Sequence, residues 1–203
     1  FNLKNSKYIG DPLNTVKLFN EKEVDELTIY DIDSKQSLHK INYELIRKIT
    51  SECTMPLCYG GGIKSINQIE KLISLGVEKV SISSAAVENP SLITQAAEKV
   101  GSQSVVVTLD IKKEKPFQKY SIRTHNGKKK TGLSPVKFVK EMEDRGAGEI
   151  IINTIDRDGT MKGYDFELVE LIRNSHNLPM SILGGASSIE NILNLWKSYG
   201  LIG

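Results

Sequence analysis

Short apolar runs alternate along this chain with segments whose apolar positions recur at helical spacing. The runs predict strands over Glu26–Asp31, Met55–Tyr59, Lys79–Ser83, Ser104–Asp110, Glu149–Ile155 and Met180–Leu183. The periodic segments predict helices between them. Asp11-Pro12 opens one to about Phe19, with Asp as cap and Pro at the first helical position. Others cover Ile41–Thr50, Ser65–Leu75 and Asn89-Pro90 to Val100, the last two closed by Gly76 and Gly101. Ser134–Arg145, Asp165–Ser175 and Ser188–Ser198 complete the set.

The alternation breaks at Ile111–Leu133. There Gln118–His125 reads as a hairpin strand turning at Asn126-Gly127. The insertion is rich in lysine: Lys112, Lys113, Lys115, Lys128, Lys129 and Lys130. Two readings stand: a solvated surface loop, or a mobile lid that meets an anionic substrate.

One pattern occurs twice. Glu26–Asp33 and Glu149–Asp158 each hold a glutamate, a short apolar strand and two acids one residue apart. Each is followed by a 17-residue segment, Gly60–Gly76 or Gly184–Gly200, with paired glycines, a polar cap, an apolar helix and a closing glycine. The glutamate-to-glycine offsets are 34 and 35 residues. This is a duplicated half-domain. Parallel strands with interleaved helices and a duplication predict one domain, a (β/α)8 barrel with half-barrels over residues 1–103 and 104–203. The count matches strands two to seven, with the first and last lying outside this sequence or absent. The alternative is an open doubly wound sheet, disfavoured by the duplication and by the lack of G-x-G-x-x-G.

Composition narrows the picture. With 39% hydrophobic and 26% charged residues, the 203-residue chain has a globular make-up and a core of useful size. A net charge of +2 gives no electrostatic case for nucleic acid or membrane surfaces. No apolar run approaches a membrane span, and a cytoplasmic protein is expected. Cys53 and Cys58 read as reduced thiols in or near the core; with His39, His125 and His176 scattered, no metal site is expected.

Candidate chemistry clusters at strand ends. Acids stand there on three strands: Asp31 and Asp33, Asp110, and Asp156 and Asp158. Facing carboxylates can divide acid and base roles when their environments differ. Asp33 and Asp156 fit turn or cap roles best. Glycine turns at Gly60–Gly62, Gly159 and Gly184-Gly185, with Ser83-Ser84, offer bare N–H groups and hydroxyls suited to anions. Their placement in both halves suggests a substrate with a phosphate at each end.

Asp156-Arg157-Asp158-Gly159-Thr160 with Gly163-Tyr164-Asp165, Gly60-Gly61-Gly62-Ile63, Ala85–Ile93, Gly101–Val107 and Arg145–Glu149 stand in this chain. Together these motifs resemble the cyclase subunit of imidazole glycerol phosphate synthase, HisF. The resemblance implies a barrel that takes ammonia from a glutaminase partner. It splits a phosphoribulosyl-formimino carboxamide ribotide into imidazole glycerol phosphate and an aminoimidazole carboxamide ribotide. It implies no metal or organic cofactor. Asp110 matches a catalytic aspartate; the second lies on the first strand. Asp31, Asp158 and Gly159 match substrate contacts, and Gly61, Gly62, Ser84 and Gly185 phosphate positions, with Gly184 beside them. Ser83 stands where Asn is usual and Asn153 where Thr is frequent. Glu26, Lys79 and Glu149 match three residues of a salt-bridged gate at the N-terminal barrel face, where the glutaminase binds.

One departure opens an alternative. Tyr30-Asp31-Ile32-Asp33-Ser34-Lys35 replaces the usual Leu-Asp-Ile-Thr-Ala-Ser. With Tyr8–Pro12 and Met55–Gly60 it is similar to a branch linked to acetamidino modification of surface-polysaccharide sugars. There the barrel conducts ammonia to another enzyme. The related sugar isomerase barrel fits less well, since the Glu-Lys-Glu set belongs to the ammonia-using barrel.

Overall fold

The computed structural model describes residues 10–32, 40–116, 119–200 and 203. Asp33, and with it the second acid of the early copy, lies outside them. The strands are β1 (Leu27–Tyr30), β2 (Leu57–Gly60), β3 (Lys79–Ile82), β4 (Val105–Glu114), β5 (Lys119–Thr124), β6 (Lys129–Lys130), β7 (Glu149–Thr154) and β8 (Met180–Leu183). The helices are α1 (Pro12–Glu21), α2 (Tyr43–Glu52), α3 (Ile66–Ser74), α4 (Ser84–Glu88), α5 (Ser91–Val100), α6 (Pro135–Asp144), α7 (Phe166–Arg173) and α8 (Ile189–Tyr199).

Six strands form one parallel ladder in the order β1-β2-β3-β4-β7-β8. This is the order of consecutive strands in a (β/α)8 barrel. Beyond β8, Ile182 N donates to the Gly203 carbonyl at 2.8 Å and Gly203 N to that of Met180 at 3.2 Å. The last residue therefore docks beside β8 as the next strand of such a barrel does.

The sheet is strongly curled. Tyr30 on β1 reaches Thr108 on β4 with oxygen atoms 2.8 Å apart. On a flat sheet those strands would lie roughly 14 Å apart, at about 4.8 Å per strand. Alternation along each strand then divides two environments. Outward residues such as Val80, Ile82, Val105, Val107, Leu109, Ile150 and Ile152 pack under helical faces carrying Ile69, Leu72, Ile93, Val139, Leu168 and Ile172. Inward, Cys58, Val106 and Ile151 form a small separate cluster on β2, β4 and β7.

Local signals set the helix starts. Asp11 accepts from the N–H groups of Leu13 and Asn14, and Ser65 and Gln68 form a reciprocal cap on α3. Asp165 and Ser188 cap α7 and α8.

Two expectations change. β4 does not stop at Asp110 but runs to Glu114, because from Asp110 onward it also pairs antiparallel with β5, overlapping the end of the β7 ladder at Ile111. The insertion is thus a hairpin built on β4. Secondly, Ser84 begins the short helix α4, which the periodicity did not reveal; at five residues it is too short to show a period.

Candidate functional site

The carboxyl ends of the strands surround a cavity of about 430 Å³. Asp31, Gly61, Gly62, Ser83, Ser84, Asp110, Asn153, Asp158 and Gly184 all line it. Residues scattered over 154 positions of chain (31 to 184) therefore meet at one mouth. Gly159 and Gly185, expected beside them, are not on its wall.

Asp110 sits on β4 opposite Asn153 of β7, whose side-chain N–H donates to Asp110 Oδ1 at 2.8 Å. Asp31 follows β1 and lies 3.4 Å from the Tyr59 hydroxyl, which donates to it. Burial and the Asp31 carboxylate together push the Tyr59 phenol well above its ordinary range. Asp158 is carried on a tight turn, its N–H bonded to the Thr154 carbonyl at 3.0 Å. Asp156 faces elsewhere: its carboxylate accepts from the Lys113 backbone N–H at 2.9 Å and anchors the turn to β4.

The glycines divide by cause. A side-chain carbon on Gly61 would strike the Asp31 carbonyl, and one on Gly185 the Gly163 carbonyl. Both positions have positive φ, +121° and +99°. Backbone packs directly on backbone at both places, so these glycines are required whether or not an anion binds. Gly159 has φ +70° and open space around it, so only its conformation asks for glycine.

The hairpin tip completes the wall with His125, Asn126 and Gly127, none of them singled out for chemistry from the sequence. All three have positive φ, at 55°, 56° and 74°. The tip is fastened on two sides. His125 N–H donates to Ser84 Oγ at 3.1 Å, and Asn126 Nδ2 to the Ile32 carbonyl at 3.2 Å. At its base, Tyr120 donates to Asp165 at 2.9 Å and Lys113 meets Glu167 at 2.6 Å. The lysines of the insertion stay off the cavity wall; Lys64 is its one lysine among the described residues. The Asn-Gly turn signal marked the tip, but nothing local said that it folds back over β1 and α4.

At the opposite end of the strands, Lys79 Nζ lies 2.6 Å from Glu26 Oε2 and 2.8 Å from Glu149 Oε2. Ser181 donates to the other Glu149 oxygen at 2.8 Å. Burial pulls the Lys79 pKa down, and the bonds to Glu149 and Glu26 more than reverse this, holding the ammonium above its usual value. The three charges that the resemblance matched to a salt-bridged gate are therefore paired with one another.

Cys58 is buried inside the curl and burial pushes its thiol up to about 12, while Cys53 bonds to Met55 near the surface. Among the described residues no cluster of potential metal ligands occurs, and no helix is long and apolar enough to cross a membrane.

A model of the family described as histidine biosynthesis protein matches residues 2–201. A Vibrio vulnificus protein provisionally named an imidazole glycerol phosphate synthase subunit is 51% identical over 200 residues, 98% of this chain and 77% of that protein. A Leptospira borgpetersenii protein, provisionally the HisF subunit, is 50% identical over 197 residues, 97% of this chain and 78% of the relative. The imidazole glycerol phosphate synthase subunit HisF of Thermotoga sp. (strain RQ2) is 42% identical over 192 residues, with 95% and 75% covered.

Proposed function

We propose, because the chain belongs to the histidine biosynthesis protein family, that it acts as the HisF-type cyclase subunit of imidazole glycerol phosphate synthase. It is a lyase that works with a glutaminase of the HisH type. The substrate is the phosphoribulosyl-formimino carboxamide ribotide, cleaved with ammonia to imidazole glycerol phosphate and the aminoimidazole carboxamide ribotide. The relatives' names lend nothing to the acetamidino-sugar alternative.

The observation that carries this reading is the cavity in which Asp110, Asp31 and Asp158 converge. Asp110 is the acid–base group on this chain. Its hydrogen bond from Asn153 fixes one carboxylate oxygen and leaves the group placed at the cavity wall. A carboxylate so held can take a proton from a nitrogen nucleophile and return it to a leaving group. Backbone and hydroxyl donors at Gly61, Gly62, Ser84 and Gly184 hold the phosphates; Gly185 and Gly159 shape the turns behind them. The two phosphate regions belong to the two half-barrels, residues 1–103 and 104–203. Glu26, Lys79 and Glu149 form the entry ring, and the glutaminase sits over it on the amino-terminal face.

The test is turnover of the ribotide with ammonium salts as nitrogen source. Turnover is expected, and Asp110→Asn is expected to lower it by ~10² or more. No turnover by the unsubstituted protein at high ammonium would sink the cyclase assignment.

A further inference from the structure

Between the charged ring and the cavity lies a layer that neither the ring nor the acids explain. Tyr30 on β1, Ser81 on β3 and Thr108 on β4 bring three hydroxyls together. Ser81 Oγ is 2.6 Å from Thr108 Oγ1, which is 2.8 Å from the Tyr30 hydroxyl; the Tyr30–Ser81 separation is 3.4 Å. All three residues line the bottom of the cavity. Toward the amino ends of the strands come Val106 on β4 and Cys58 on β2, in one cluster with Ile151 of β7, and then Lys79 on β3 and Glu149 on β7.

The tyrosine ring is seated by design of the neighbouring strand. Tyr30 pairs in register with Gly60. A side-chain carbon on Gly60 would fall 2.6 Å from Tyr30 Cε1 and 3.1 Å from Ser81 Cβ. Gly60 is not at a positive φ, so its backbone does not ask for glycine. What asks for it is the ring, which fills the space a side chain would take. Two independent features, the hydroxyl lattice and the missing side chain, thus hold one aromatic ring across the interior.

We propose that Tyr30 is a floor plate: latched by Ser81 and Thr108 and seated on Gly60, it separates the cavity from the barrel interior, and ammonia rising from the Glu26–Lys79–Glu149 ring passes only when this lattice opens. The ammonia half of the proposal rests on the cyclase reading above; the plate itself does not. A lattice of hydroxyls suits the task. Each can donate and accept, so a small neutral base is handed on by exchange of hydrogen bonds, and the hydroxyls themselves carry no charge to trap it as ammonium. Burial pushes the Tyr30 phenol up to about 12, so it stays neutral under physiological conditions.

Cys58, buried on β2 two residues before the Gly60 that seats Tyr30, reports on the plate without any need for activity. The probe is methyl methanethiosulfonate, used on protein carrying Cys53→Ser so that one thiol remains. Labelling of Cys58 is expected to be slow with Tyr30 in place and about tenfold or more faster in Tyr30→Ala, since protection follows local opening. Tyr30→Phe, which keeps the ring and loses the latch, is expected between them and guards against simple misfolding of the alanine variant. Equal labelling rates in all three proteins would overturn the plate. With the glutaminase bound, the ratio of glutamine-driven to ammonium-driven turnover is expected to rise by about twofold or more in Tyr30→Phe. An unchanged or lower ratio would overturn the passage role. If the unsubstituted protein turns over the ribotide with neither nitrogen source, the cyclase reading fails while the labelling still decides the plate.

Discussion

The two ends of the strands are built on opposite principles. At the amino end every charge of the ring is answered: Lys79 by two glutamates, Glu149 also by Ser181. At the carboxyl end Asp31, Glu88, Asp110 and Asp158 share one wall with, among the described residues, a single lysine, Lys64, and the half-exposed His125. There Asp110 accepts from the Asn153 amide and Asp31 from the Tyr59 phenol. A paired, partly buried ring holds its shape without a ligand, whereas a mouth crowded with carboxylates is suited to one that brings its own chemistry. The same alternating strands serve both ends, so the difference lies in residue choice at the two ends of each strand.

The sharpest way to break this contrast is to remove one charge from each end. Asp110→Asn is expected to cut ammonium-driven turnover by ~10² or more. Lys79→Ala should leave ammonium-driven turnover within about twofold while lowering the yield of product per glutamine hydrolysed. If Lys79→Ala damages ammonium-driven chemistry as much as Asp110→Asn does, the two ends are not separate devices. Lys79→Ala also leaves two carboxylates facing each other, and thermal or urea unfolding should register a loss of about 2 kcal/mol.

Glycine substitutions sharpen the picture at the mouth. Gly61→Ala pushes a carbon into the Asp31 carbonyl and should destabilise the fold by roughly 3 kcal/mol. Gly159→Ala meets open space and should cost about 1 kcal/mol, the left-handed conformation alone. Chemical denaturation of the two variants measures the difference; equal costs would mean that the strand-end packing is softer than its geometry.

The smallest effect belongs to the amino end. His176 is buried in the turn before β8; its Nδ1 accepts from Leu178 N–H at 3.0 Å and its Nε2 has no hydrogen-bond partner in the described structure. Burial lowers its pKa below the ordinary value. The unfolded chain then binds a proton that the folded one resists. Its contribution to stability is intact above about pH 6.5 and falls away as the pH drops below that. Unfolding midpoints between pH 7 and pH 5 should fall less steeply in His176→Leu than in the unsubstituted protein. Parallel curves would show that this ring does not titrate with folding.

Much of this was legible in the chain itself. The alternation of apolar runs and helical periods determined the parallel order, and the caps at Asp11, Ser65, Asp165 and Ser188 determined the helix starts, because both are local effects of backbone hydrogen bonding and burial. Parity along the strands put Glu26, Lys79 and Glu149 on one face, and the duplication put glycine turns at matching ends. What the chain could not disclose is distance across the curl. That Asp156 anchors β4 while Asp158 faces the cavity depends on one turn's hydrogen bonds. That Gly60 makes room for Tyr30, and that Tyr30 meets Thr108 from β1 to β4, depends on how tightly the sheet closes. So does the return of the hairpin tip over Ser84 and Ile32. Sequence pattern decides which side of a strand a residue occupies; only the curl of the sheet decides what it faces there.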